Sequence, residues 1–271
     1  MYAFTYERPA SVADAARLAA AGAKPLAGGQ TLLASMKLRL AQPGQLADLG
    51  AIKELSAIRR DGDNLVIGAM ARHVDVAGHA EVKSAYPALA DLASRIGDRQ
   101  VRALGTIGGS VANNDPSACY PTALLASGAT VVTHKREIAS DDFFQGMFAT
   151  ALEDGELITA VRFPLPRRAA YEKLCQKASR FALIGVFVAQ FDRGPMNGQV
   201  RVAVTGGGNG VFRHAGLEQA LAGNFTPAAA QAVKIDANGL SNDLHGTAEY
   251  RANLISVMAQ RAVAKALGQS R

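Results

Sequence analysis

The sequence predicts an α+β protein, and three observations carry that expectation. Helical and strand-like segments follow one another without the strict βα alternation of a doubly wound sheet. A run of strand-like segments late in the chain gives way to a run of helices. Between the two halves, Pro164-Leu-Pro-Arg-Arg168 interrupts every periodicity and marks a boundary.

The elements follow in order. Ser11-Val-Ala-Asp14 reads as a capping box opening a short helix, and Gly22 stops it. Residues 23–27 form a short strand, Gly28-Gly29 turns the chain, and 31–40 read as a second helix. Residues 45–49 complete a βαβ-like unit. Residues 55–59 and 65–69 flank the turn Asp61-Gly62 as a hairpin. Leu89, Leu92 and Ile96 give 86–96 a helical spacing that Gly97 ends. Residues 105–116 show no helical period and are rich in glycine and asparagine, so they read as a structured loop. A helix over 121–127 and strands over 130–133 and 156–163 follow. Beyond the boundary come strands over 171–177, 184–191 and 199–205, with a turn at 193–198. Helices over 214–222, 227–233 and 247–267 close the chain, the last with Tyr250, Leu254, Met258, Ala262 and Ala266 four apart.

Composition narrows the function. The chain has 271 residues, 49% apolar and 19% charged, enough for a sizeable core. Its net charge of +6 is spread in pairs such as Arg59-Arg60, so no basic arm points to nucleic acid. Two cysteines, Cys119 and Cys175, are too few for an Fe–S cluster or structural zinc, which need about four ligands. Lone cysteines and a start without an export signal fit the cytoplasm. The longest apolar run, 181–189, falls short of the roughly 20 residues that span a membrane, and reads as a buried strand or core helix.

Catalytic signatures are missing. There is no H-E-x-x-H, G-x-S-x-G or G-x-x-x-x-G-K-[ST]. Gly206-Gly-Gly-Asn-Gly210 fails the dinucleotide fingerprint because Val211 takes its last position, so it reads as a turn. His73, His79, His134, His214 and His245 form no metal-spaced cluster and read as surface or capping residues. Asp141-Asp142 and Glu153-Asp154 read as solvated acids. Without an acid–base constellation, a redox cofactor is the natural source of chemistry.

Two glycine-rich stretches supply a place for one. They run over 24–33 and 105–116, about 80 residues apart. Glycines let a backbone approach a ligand closely, and successive N–H groups form anion-binding concavities. The first pair lies between a strand and a helix N-terminus, where phosphate is favoured. Two such stretches suggest a long ligand clamped from both sides, such as a dinucleotide.

At these stretches the chain resembles the FAD-binding medium subunits of molybdenum hydroxylases, of the carbon monoxide dehydrogenase, xanthine dehydrogenase and aldehyde oxidoreductase type. Ala27-Gly-Gly-Gln-Thr-Leu32 is similar to the family's first FAD loop, and Thr106-Ile-Gly-Gly-Ser110 to its second. Gln100-Val-Arg102, Gly155-Glu-Leu-Ile-Thr-Ala-Val-Arg-Phe-Pro164 and Asp243-Leu-His-Gly-Thr-Ala-Glu-Tyr-Arg251 extend the likeness along the chain. The resemblance implies a vanillyl-alcohol-oxidase-like (PCMH-type) FAD domain over 1–166, with subdomains of about 1–55 and 56–166, then a C-terminal domain over 169–271. It implies that Lys24, Pro25, Leu26, Ala27, Gly28, Gly29, Gln30, Thr31 and Leu32 wrap the pyrophosphate and ribityl region. Thr106, Gly109, Ser110, Asn113 and Asp115 face them across the cofactor, and Ile96 and Ile158 sandwich its adenine. Lys173 falls near a lysine that reaches the flavin, and Phe181 near the ring. Where the family usually has an acid, this chain has Cys119, which cannot replace a carboxylate's acceptors.

The implied function is electron relay. Electrons come from the [2Fe–2S] clusters of a small partner subunit, fed by a large subunit holding the molybdenum cofactor, in an αβγ or (αβγ)2 assembly. FAD passes them to an external acceptor, with no catalytic residue or metal site in this chain. A stand-alone flavin oxidase and a non-enzymatic nucleotide-binding assembly module are the rival readings.

Overall fold

The computed structural model of the chain describes residues 1–269; Ser270 and Arg271, the end of the expected C-terminal domain, lie outside the described residues. Three sheets of three or more strands order the helices, beside one two-stranded ribbon, and the mixed helix-and-sheet class follows the sequence. The first sheet is parallel, in the order Thr5–Glu7, Gln45–Asp48, Lys24–Leu26. Its crossovers carry the helices Val12–Ala20 and Leu32–Lys37. Ser11 caps the former by accepting the Asp14 amide at 3.1 Å. The second helix is shorter than 31–40, because Arg39 turns left-handed at φ 61° and ends it.

The second sheet is antiparallel: Ile58–Asp61, Asn64–Gly68, Ile158–Pro164, Thr130–Thr133, Glu137–Ala139. The expected hairpin is present, with Gly62 at φ +57° in its turn. Its first strand starts later than 55, because Lys53–Ser56 winds into a 3-10 turn that buries Leu55. The third sheet, also antiparallel, runs Arg168–Cys175, Ala182–Gln190, Val200–Thr205, Phe212–Arg213.

The apolar run resolves as a strand buried on both faces, which is why it shows no alternation. Ile184, Val186 and Val188 join Leu254, Ile255 and Met258 of the helix Ala248–Ala266 in one core. Phe187 and Ala189 face the other way, into a core with Tyr86, Leu124 and Phe163. Tyr86 meets Phe163 and Phe187 edge-on, each pair of ring centroids 6.2 Å apart.

Between the hairpin and the later strands the chain forms helices that the periodicity does not show. His73–Gly78, Ala80–Ala85 and Arg99–Leu104 are six residues each, too short to display a period. The larger correction concerns 105–116, expected as a loop. Ile107–Asn113 is a helix, N-capped by the Thr106 hydroxyl and ended by Asn114 at φ 43°. Tertiary packing overrides glycine's poor propensity here. Ile107 and Val111 are fully buried, and a Cβ on Gly108 would come within 2.5 Å of the Ala69 Cβ. Only glycine lets the helix seat against that strand end.

The histidines divide. His79 and His214 cap helices, accepting the amides of Glu81 and Leu217. His73 corrects the expectation: it is 4% exposed, stacked obliquely against Tyr120 at 5.4 Å. Burial, helped by the charge of Arg102, pulls its pKa down to about 4.

Arg251 locks the third sheet. It is buried, and Nη1 donates to the carbonyls of Leu183 at 2.9 Å and Gly206 at 2.6 Å. Nη2 meets both Asp243 oxygens at 2.8 Å. Arg251→Met strands two buried carbonyls and should lower stability by about 3 kcal/mol, read as a lower urea midpoint.

His73 sets a pH dependence. The unfolded imidazole takes its proton near 6.5, the native one only near 4. Stability therefore falls as pH drops across that window, by about 3 kcal/mol in all. His73→Gln should flatten the slope of melting temperature against pH between about 6.5 and 4, and an unchanged slope would assign it to other groups.

Candidate functional site

The two glycine stretches meet in one cleft of about 550 Å³. Every residue singled out from them lines it, and so do Ile96, Ile158, Lys173 and Phe181. The stretches touch through backbone. A Cβ on Gly28 would stand 2.2 Å from the Leu104 carbonyl oxygen and 2.7 Å from the Gly105 Cα.

Their chemistry differs. In the first, Gly29 is left-handed at φ +69° and Thr31 right-handed, which turns the chain into the helix Leu32–Lys37. The amides of Gly28, Gly29, Gln30, Thr31 and Leu32 have no acceptor among the described residues. The Gln30 side chain folds back, donating to the Gly28 carbonyl at 3.0 Å. Lys24 adds a positive charge beside them.

The second stretch has no amides left to give at its helix start. Those of Ile107, Gly108 and Gly109 donate to the Ala71 carbonyl at 3.0 Å, the Ala69 carbonyl at 2.8 Å and the Thr106 hydroxyl at 3.2 Å. Thr106 is buried by this cap and is a structural member of the wall. What faces the cleft is a smooth glycine surface and the side chains of Ser110, Asn113 and Asp115. Asp115 accepts the Ser117 amide at 2.8 Å, which orders the turn after it.

The far wall comes from the third sheet. Lys173 is 8% exposed, and its Nζ donates to the Arg180 carbonyl at 2.9 Å with Cys119 Sγ at 3.6 Å. A buried thiol therefore sits beside an ammonium where the resemblance leads one to expect a carboxylate. Phe181 packs edge-on against His245, ring centroids 5.3 Å apart. Arg95 ties the Ile96 end to this wall, donating to the Tyr171 carbonyl at 2.9 Å.

Cleft residues that sequence reasoning missed include His73, Phe148 and Glu156. Glu156 has no solvent-exposed side-chain surface; Arg136 and Thr133 bond it, with the Glu153 amide, and hold its pKa at about 2. The run Gly206–Gly210 is a turn that braces the cleft from behind, the Gly206 amide donating to the Pro116 carbonyl at 2.8 Å. Asp141 pairs with Arg201 and Arg213, and Glu153 with Lys135. No group of three or more potential metal ligands occurs among the described residues. Nor is any described helix long and apolar enough to cross a membrane.

The cleft thus offers free backbone donors for an anion, a flat glycine wall and apolar flanks. That donor set suits a nucleotide with a pyrophosphate, and FAD fits it.

The comparisons with known proteins agree. The family described as FAD binding domain in molybdopterin dehydrogenase matches residues 2–166. The carbon monoxide dehydrogenase medium chain of Afipia carboxidovorans is 35% identical over 282 aligned residues, covering 99% of this chain and 98% of that one. A structure of carbon monoxide dehydrogenase from Hydrogenophaga pseudoflava lacking the Mo-pyranopterin moiety superposes with a TM-score of 0.90 at 36% identity, covering 100% of this chain and 99% of that one. Quinoline 2-oxidoreductase from Pseudomonas putida 86 gives 0.87 at 27% identity, over 98% of each chain. Motifs, cleft and relatives converge: the chain belongs to the FAD-binding medium subunits of the molybdenum hydroxylases, a family of oxidoreductases.

Proposed function

We propose that this chain is the FAD-carrying relay of a heteromeric molybdenum hydroxylase. The observation that supports this best is the row of unpaired amides at residues 28–32, facing a wall of glycines across the cleft. In this reading those amides and Lys24 hold the pyrophosphate, with Pro25, Leu26 and Ala27 beneath it. Ser110, Asn113 and Asp115 offer polar contacts from the opposite side, over the flat surface of Gly109. Ile96 and Ile158 flank the adenine, and Lys173 presents its charge toward the flavin end. FAD, when bound, supplies the capacity to take up and release electrons. The chain itself binds, orients and shields, and no residue of it acts as acid or base.

The fold reading is a vanillyl-alcohol-oxidase-like (PCMH-type) FAD domain over 1–166, divided near residue 55, and a C-terminal domain over 169–271. Relatives of equal length named as medium chains support a similar assembly: a small [2Fe–2S] subunit delivering electrons, a large molybdenum-cofactor subunit, and an external acceptor. The cytoplasm is the compartment, on the strength of two free thiols, Cys119 and Cys175.

The test is the natively purified complex, read by visible absorption, metal analysis and subunit composition. Flavin bands with iron and molybdenum, beside one small and one large partner, are expected. Flavin on a lone active chain would make it a self-sufficient oxidase, and no flavin would leave a nucleotide-binding scaffold. A narrower prediction concerns Gly109→Val. A Cβ there already stands 3.0 Å from the Thr106 hydroxyl and 3.4 Å from the Ala27 Cβ. Valine should wedge the walls apart and reduce FAD occupancy at least about tenfold, measured by flavin-to-protein ratio.

A further inference from the structure

Phe148 is the least explained residue in the cleft. It is 58% exposed, and its backbone is left-handed at φ 55°, a region bulky side chains avoid. In the free protein the side chain stays largely exposed, so little burial offsets that strain. The strain is nonetheless firmly held. Asn114, itself left-handed at φ 43°, is 1% exposed. Its Nδ2 donates to the Gly146 carbonyl at 2.7 Å and the Ala149 carbonyl at 2.8 Å. Its own carbonyl accepts the Phe148 amide at 3.1 Å.

The strap that carries the ring is anchored on both sides. Phe144–Gly146 pairs with Ala149–Thr150, and the Ala151 amide donates to the carbonyl of fully buried Phe143 at 2.9 Å. Three bonds from one buried asparagine thus fix a short turn whose exposed phenylalanine lines the same cleft as Asn113, Asp115 and Leu152. Neighbouring Met147, exposed to 50%, does not line it. The pattern singles out one aromatic residue on the cleft wall. Strain that the surroundings enforce at a binding site points to function.

We infer that Phe148 is a ligand-binding residue of this cleft, its ring held in place to contact a planar ring of the bound flavin nucleotide. This rests on the reading that FAD binds here. Asn114 is the positioning residue that keeps the ring in place.

The test uses the full chain stripped of flavin, with Phe148→Asn and Phe148→Leu. Asparagine tolerates the left-handed backbone but removes the ring. Phe148→Asn should weaken FAD binding about tenfold by titration calorimetry. The flavin-free melting temperature should hold or rise by up to about 3 °C. Phe148→Leu keeps apolar area and strain, and should lose about half as much affinity on a logarithmic scale. Unchanged FAD affinity in Phe148→Asn, with wild type binding normally, would overturn this inference and leave the FAD reading intact. A fall in the flavin-free melting temperature would also overturn it, since the ring would then be packing. Wild type that binds no FAD would overturn both.

Discussion

The cleft exists because two backbones touch at Gly28. A side chain there would run into the Leu104 carbonyl and the Gly105 Cα, and the first loop would be pushed off the second. Gly105 and Gly108 repeat the constraint one layer deeper, against His73 and Ala69. The glycines therefore serve packing first. A ligand meets two loops already fixed at a set separation, so little ordering cost remains for binding to overcome.

That fixed separation is held from behind. Buried Arg251 ties the ends of two strands to the exposed Asp243 carboxylate. The Gly206 amide passes the connection on to the Pro116 carbonyl, and the Thr205 hydroxyl meets the carbonyls of Pro116 and Ala118. The segment leading to Cys119 is thus positioned by the last helix, far away in sequence. Lys173 arrives on the neighbouring strand Arg168–Cys175, so the thiol and the ammonium meet through sheet register.

Much of the fold was legible because its signals are local. The hairpin around Gly62, the cap at Ser11 and the four-residue repeat of the last helix all act within a few residues. The helix Ile107–Asn113 was not, because its glycines seat against Ala69, and nothing near them in sequence says so. His73 was misjudged for the same reason: its burial comes from Tyr120. That two glycine stretches share one cleft could be guessed from their composition. Which of them has free amides could not, since the answer lies in the carbonyls of Ala69 and Ala71. Phe148 gave no signal, because its backbone is set by Asn114 across the cleft wall.

The free amides of residues 28–32 bear on how such a site can evolve. An anion held there is held by groups that every amino acid except proline carries. Most substitutions of Gln30, Thr31 or Leu32 leave those groups in place, so the side chains at these positions are free to drift. The positions that cannot drift are Gly28, through its neighbour's carbonyl, and Gly29, through its positive φ. Divergent descendants of this loop should therefore differ in letters while retaining the same grip, and selection would read the glycine pair as the whole motif.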